Sequence, residues 1–379
     1  MTADQAAETP EMLETAFHDR VVAAGGTVFE NAIGYAVPLW YSTPDEEYWA
    51  VRKAVGAMDF SFIRKFDVRG PGAIETVNWL ITRDISNLAP GRIAYGAIVD
   101  ESGMMMDDVV ILAFSPDHVR ITCGTAEVGE LLATAAEAAG QTVTDERIGL
   151  GHLCIQGPNS RALLQKLTDQ DVSAEAFPYY GYRTEVQISG VTVHVNRLGF
   201  TSELGYELWV STEDAGAVWD AVFAAGEPLG IKPIGVLAVF MLRIEAGMIM
   251  GEGLDYDSTV SPFECRMGWA IDWDKGDFRG RAALLEMKDA APKRLVTVKL
   301  PLTTADLSGA ALDVDGAEIG RITMAMPSPQ FDATLALVRV DRDHGAIGTA
   351  VRALFDGGSV VGEIVGTPYY DPERTRVRS

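Results

Sequence analysis

The chain has 379 residues, 47% of them apolar, and 31 Lys plus Arg against 54 Asp plus Glu leave a net charge of −23. That length accommodates two or three packed domains, and the negative field repels phosphate backbones and anionic lipids, so neither nucleic acid nor membrane is expected as a partner. Cys123, Cys154 and Cys265 are widely spaced, with no CxxC and no neighbouring His cluster in the sequence, so no disulfide framework or metal site is expected and a reducing cytoplasmic location fits.

In chain order, the opening MTADQAAETPEMLET is acidic and shows no secretory or mitochondrial leader pattern. An internal echo follows: FDVRGPGAIETVNWLITRDIS (66–86) and LCIQGPNSRALLQKLTDQDVS (153–173) align without a gap, setting Gly70-Pro71 over Gly157-Pro158 and Asp84 over Asp171. Each copy reads as an apolar strand, a Gly-Pro turn, an amphipathic helix and a polar exit. Two such units predict a pseudo-duplicated α+β body with a ligand held between the halves.

After the first unit, 92–99, 104–114 and 118–124 are predicted antiparallel strands, and the Ala-rich 125–140 a helix. After the second, two strands flank Ser189-Gly190, 205–211 is another strand, and helices are predicted over 213–225 and 234–248. The apolar run Ile234 to Leu242 is too short for a bilayer, which needs roughly 20 residues. Beyond about 293, short β-runs with DG and GG turns predict a barrel or sandwich, with KDAAPKR (288–294) as the bridge. The expected division is a body over 1–290 and a β-domain over 291–379.

GLGHLC (149–154) and GEGLDY (251–256) start like dinucleotide loops but lack the third glycine, and LDVDGAE (312–318) lacks the closing Glu of a calcium loop. The acids of ESGMMMDDVVIL (101–112) are more informative. Adjacent strand residues face opposite ways, so Asp107 and Asp108 are either strand-end acids kept wet by a turn or a pair of which one lines a cleft. Glu203 and Glu207 lie in RLGFTSELGYELWV (197–210), and a buried Glu207 would need an internal Arg or a ligand edge offering two N–H groups. Arg243 either pairs with an internal acid or clamps an anionic group. His152 and His194 read as core or surface histidines, Trp40, Tyr41, Tyr179 and Tyr180 as packing or a substrate mouth, and Met104 to Met106 as irregular filling.

Taken in order, these stretches resemble the tetrahydrofolate-dependent aminomethyltransferases: the glycine-cleavage T-protein and its demethylase relatives, including dimethylsulfoniopropionate demethylase. The resemblance is carried by PLWYSTPDEEYWAVRKAVGAMDFS (38–61), VRGPGA, TRDISNLAPGRIAYGAIVDESGMMMDD, IQGPNS, RLGFTSELGYEL, LRIEAGM and KGDFRGRAAL, and by the closing IGRITMAMPSP and YYDPERTRVRS. It implies a cloverleaf of three subdomains around a central folate channel, the last a C-terminal β-barrel. It also implies a catalytic acid at Asp107, a pterin-binding acid at Glu207, a folate-lining Tyr95 and a cleft Arg243, with Asp108 and Phe200 beside the folate.

Two departures bear on the substrate. Phe200 and Ser202 replace a Tyr and a Gly of the family motif, and the stretch from Ala238 to Arg243 lacks one Arg and one Asp. DSTVSPFECRMGWAIDW (257–273) resembles the demethylase branch, so the expected reaction is methyl transfer from a small N-, O- or S-methylated substrate to N5 of tetrahydrofolate. Alternatives are aminomethyl transfer from a lipoyl carrier protein and a non-catalytic folate-binding iron–sulfur assembly factor. The latter carries a cysteine where Asp277 stands here. A separate partner oxidase is a further expectation.

Overall fold

The structure, a computed structural model, describes residues 12–251 and 253–379; most of the expected leader-free N-terminus and one position of GEGLDY lie outside them. Helix α1 (His18–Ala23) leads into a hairpin of β1 (Val28–Ala32) and β2 (Tyr35–Trp40). Helix α2 (Pro44–Lys53) follows for local reasons: the Thr43 hydroxyl accepts from the Glu46 N–H, Pro44 opens the first turn, and acids at that end and Arg52 and Lys53 at the other complement its dipole.

Then come β3 (Val55–Asp59), β4 (Arg64–Arg69), α3 (Ala73–Leu80), β5 (Ile93–Val99), β6 (Met105–Ser115), β7 (His118–Cys123), α4 (Ala126–Ala138) and β8 (Thr142–Asp145). Next are β9 (Leu150–Gln156), α5 (Ser160–Leu167), β10 (Gly181–Ile188), β11 (Val191–Arg197), β12 (Gly205–Ser211), α6 (Ala215–Gly226), β13 (Ile231–Pro233) and α7 (Val236–Ala246). The first copy forms a sheet of order β5-β6-β7-β4-β8, the second β10-β11-β12-β9-β3-β13. The duplication holds in detail: Gly70 and Gly157 both adopt φ +133°, and Phe66↔Ile121 matches Leu153↔Leu208 in register. Asp84 and Asp171 each accept the N–H of the serine two residues on.

The sheets meet face to face. Tyr182, His194 and Trp209 of the second sheet stack at 5.5 and 4.7 Å between centroids, and Phe114 and Arg120 of the first pack against them. Helix α8 (Arg281–Met287) leads to the C-terminal strands β14 (Lys293–Pro301), β15 (Ala311–Val314), β16 (Ala317–Ser328), β17 (Ala333–Asp341), β18 (Ala350–Phe355) and β19 (Gly358–Val365), then α9 (Thr375–Arg378). These six strands close into a barrel, as expected. Leu295, Leu335 and Leu337 share a core with Ala97, Val99, Met105 and Tyr256, which docks the barrel on the first sheet. No described helix is long and apolar enough to cross a membrane.

Candidate functional site

Two acidic centres lie on these sheets. On β6, Asp107 is 3% exposed and its carboxylate is filled by five donors. Oδ2 accepts from the Gly124 and Thr125 N–H groups, both at 2.8 Å, and the Thr125 hydroxyl at 3.1 Å. Oδ1 accepts from the Asp108 N–H at 2.9 Å and the Tyr256 hydroxyl at 3.0 Å. Asp108 is half-buried; its Oδ2 accepts from the Tyr95 hydroxyl at 2.6 Å, and its Oδ1 contacts the same Tyr256 hydroxyl.

One phenolic proton thus faces two carboxylates, and it can serve only one at a time. Burial raises the proton affinity of both acids, opposed at Asp107 by its donors. Asp108 is pushed up to about 6, by burial first and then by the charge of Asp107, with the Tyr256 and Tyr95 hydroxyls pulling the other way. Trp269, 56% exposed, stacks on Tyr95 at 5.9 Å, with the Arg83 guanidinium over its ring. Burial drives the Tyr95, Tyr180 and Tyr256 phenols up, and the charge of Asp108 adds to each.

The second centre is Glu207 on β12. Its Oε2 lies 3.2 Å from His152 Nε2 and 3.5 Å from Asn196 Nδ2, while Oε1 makes no hydrogen bond among the described residues. Cys154, opposite Glu207 on β9, brings its sulfur 3.4 Å from the same His152 nitrogen. These three side chains place a ligand-type atom each within 4.8 Å of one another, a proximity that their sequence spacing does not announce. Burial holds the thiol protonated and the imidazole neutral, so the group is a hydrogen-bonded chain with the buried ammonium of Lys65 beside it.

The remaining expected positions make contacts of their own. Arg243 is fully buried in an ion pair with Asp255, Nη1 to Oδ2 at 2.5 Å, which is the internal-acid alternative. Asp255 also accepts from the Thr323 hydroxyl at 2.6 Å, so this pair ties α7 to the barrel. Phe200 packs half-buried against the apolar cluster that contains Tyr48, Phe62 and Leu242. Glu203 pairs with Arg52 at 3.1 Å and accepts the Tyr370 hydroxyl at 2.6 Å. His194 is half-buried, stacked between Tyr182 and Trp209, bonded to Asn196 and pushed down to about 4 by burial. Tyr256 and Lys65 were not singled out by the sequence; Tyr256 meets Asp107 across a separation of 149 residues.

Residues 17–275 match the GCVT N-terminal domain and residues 293–371 the glycine cleavage T-protein C-terminal barrel domain. This chain belongs to the glycine-cleavage T-protein family. It is 33% identical to an aminomethyltransferase of Symbiobacterium thermophilum, over 89% of this chain and 92% of that one. It is also 33% identical to a trimethylamine-oxide aldolase of Ruegeria pomeroyi over 98% of this chain, and spans about half, 49%, of that relative's length. The crystal structure of the glycine cleavage system aminomethyltransferase T from Bartonella henselae shares the fold, with a TM-score of 0.85 at 23% identity, covering 95% of this chain and 99% of that one. The chain is therefore an enzyme of a family that transfers one-carbon units, built as a mixed α/β body with a C-terminal barrel.

Proposed function

We propose that the chain takes a methyl group from a small N-, O- or S-methylated compound and delivers it to N5 of tetrahydrofolate. The family's aminomethyltransferases use tetrahydrofolate, and the open Oε1 of Glu207 suits the paired N–H edge of a pterin, which a carboxylate grips through parallel bonds. Bound there, the folate would supply a nucleophilic nitrogen. The chain's own contribution is to hold the two reactants together and to receive a proton.

The observation that carries the reading is the half-buried Asp108 with its carboxyl pushed up to about 6, bonded to Tyr95, on which the exposed Trp269 stacks, and beside the phenols of Tyr180 and Tyr256. An acid poised near neutrality accepts the proton that a methylated secondary nitrogen must lose, and as a carboxylate it offsets the positive charge developing there. We assign that role to Asp108 and make Asp107, whose oxygens are filled, its positioning neighbour. Tyr95 and Tyr256 orient Asp108 Oδ2 and Oδ1. Arg243, closed against Asp255, is assigned to the scaffold.

Incubation with tetrahydrofolate and N-, O- and S-methyl donors should give 5-methyltetrahydrofolate, and Asp108→Asn should lower kcat by about 10²-fold or more with folate binding retained. Failure to methylate folate from any donor class defeats the proposal. The likeness to the Symbiobacterium aminomethyltransferase motivates a second reading, aminomethyl transfer from a lipoyl carrier protein. Turnover that depends on such a carrier and yields methylenetetrahydrofolate would select it.

A further inference from the structure

Arg321 on β16 and Arg339 on β17 stand directly opposite each other in the register of the barrel, and Leu295 on β14 is the next residue in the same row. Directly opposed residues of an antiparallel pair share a face, and Leu295 lies in the core that docks the barrel on the first sheet. The row therefore runs along the outer wall of the barrel, from a buried leucine to two guanidiniums. Like charges directly opposite each other weaken a strand pair, so two arginines in this register call for a compensating partner.

Both guanidiniums line a cleft of about 500 Å³ that the barrel shares with Gly253 and Leu254 of the body. Lys293 lines it as a third cation, and Ser308 adds an exposed hydroxyl. Space is open at Gly253 and Gly309, where an added Cβ would meet no atom within 4 Å. The acids of the cleft are Glu318 and Asp341. Glu318 is taken by Arg321, Oε2 to Nη2 at 2.9 Å, and Asp341 stands directly across from Lys293. The charge of Arg339 also reaches Asp257, whose carboxylate already accepts the N–H and hydroxyl of Thr259. Arg339 itself makes no hydrogen bond or ion pair among the described residues, and its Nε is buried. In a chain of net charge −23, a half-buried guanidinium that has found no acid is an exception, and its donors are unused.

We propose that this cleft is a second ligand site, which takes a small organic anion with a phosphate or carboxylate head. Arg339 grips the head through parallel N–H bonds, the arrangement in which a guanidinium fork matches an oxyanion. Arg321 across the strand pair and Lys293 on β14 add their charge to the same head, which relieves the repulsion of the opposed arginines. The volume lies in the range of about 300–1,000 Å³ usual for sites of small organic ligands. The cleft shares no lining residue with the Asp107–Asp108 centre or with Glu207, so this proposal does not rest on the folate reading.

Calorimetric titration of the whole chain at low ionic strength tests it, with inorganic phosphate and succinate as probes and chloride at matched ionic strength as the control. At least one probe should bind one-to-one with a Kd of about 1 mM or tighter, and chloride should not. Binding of phosphate alone selects a phosphate ester as the ligand, and binding of succinate alone selects a carboxylate. Arg339→Met should weaken the binding by about tenfold or more, while Arg339→Lys, which keeps the charge and loses the fork, should recover only part of it. Arg321→Met, at an exposed side chain, should weaken it several-fold and carries the same test if Arg339→Met does not fold. Lys166→Met, which removes an exposed cation outside the cleft, should leave it unchanged. The proposal is overturned if neither probe binds, if folded Arg339→Met and Arg321→Met bind as tightly as the unaltered chain, or if Lys166→Met weakens binding as much as they do.

Discussion

At the scale of single residues, the centre depends on a phenol that stands far from the two acids in the chain. Tyr256 lies within reach of both Asp107 and Asp108, donating to one at a time, and accepts the Asp108 N–H at 3.0 Å, so one hydroxyl links the two acids. Its bond lowers the proton affinity of Asp108, against burial and the charge of Asp107. If the ionised Asp108 is the active form, kcat/KM should rise with pH through about 6. Tyr256→Phe removes a stabiliser of the charged form, so the acidic limb should move to higher pH by up to about one unit. A pH profile of kcat/KM checks this, and an unmoved or downward-shifted limb would contradict the shared-phenol arrangement. The DD pair was visible in the sequence because carboxylates beside Val109 and Val110 violate strand patterning. Strand alternation alone could not say which acid is filled, because Gly124, Thr125 and Tyr256 come from elements whose approach only the folded chain defines.

At the scale of elements, the repeated strand, Gly-Pro turn and helix were legible because each step has a local cause. Gly70 and Gly157 take a backbone conformation that side chains rarely adopt, and the helices that follow bury Ala73, Val77 and Leu80, or Ser160, Leu163 and Leu164, at helical spacing. The short β1–β2 hairpin and the parallel β13–β3 pairing were not read, since β13 has three residues and takes its place from long-range contact. The turns are equivalent in conformation but not in surroundings. A Cβ on Gly70 would lie 3.1 Å from a Gln141 side-chain atom, whereas on Gly157 it would lie 2.5 Å from the Ala54 carbonyl oxygen. Both Gly→Ala changes incur backbone strain of about 1–3 kcal/mol. Gly157→Ala should cost clearly more, because the backbone it meets cannot rotate away. Denaturant unfolding of the two variants measures the difference, and equal losses would show that α2 and the turn shift apart freely.

At the scale of the whole molecule, three regions far apart in sequence converge on Arg52. Its guanidinium bonds Glu245 on α7 at 2.6 Å and Glu203 ahead of β12 at 3.1 Å, and lies 3.7 Å from the centroid of the Tyr370 ring in the C-terminal segment. Glu245 also accepts the Tyr48 and Ser328 hydroxyls at 2.7 and 2.5 Å, the latter from the end of β16, so the N-terminal body and the barrel share one buried network. The sequence marked Glu203 as odd and named an internal Arg as one alternative for Glu207, yet the arginine serves Glu203, a match that depends on how α2 packs on α7. Arg52→Met would leave Glu245 with hydroxyl donors but no cation and Glu203 with only the longer 3.4 Å pair to Arg376, for which a loss of about 3–5 kcal/mol is expected. Burial lifts the proton affinity of Glu203 and Arg52 opposes that lift, so the loss should be full at neutral pH and shrink as pH falls toward about 4.3, where the acid of the unfolded chain also protonates. Adding Glu245→Gln should recover part of it at neutral pH by removing one unpaired charge. Urea unfolding across that pH range decides the matter: a loss under about 1 kcal/mol, or one independent of pH, would mean that apolar packing rather than Arg52 joins the barrel to the body.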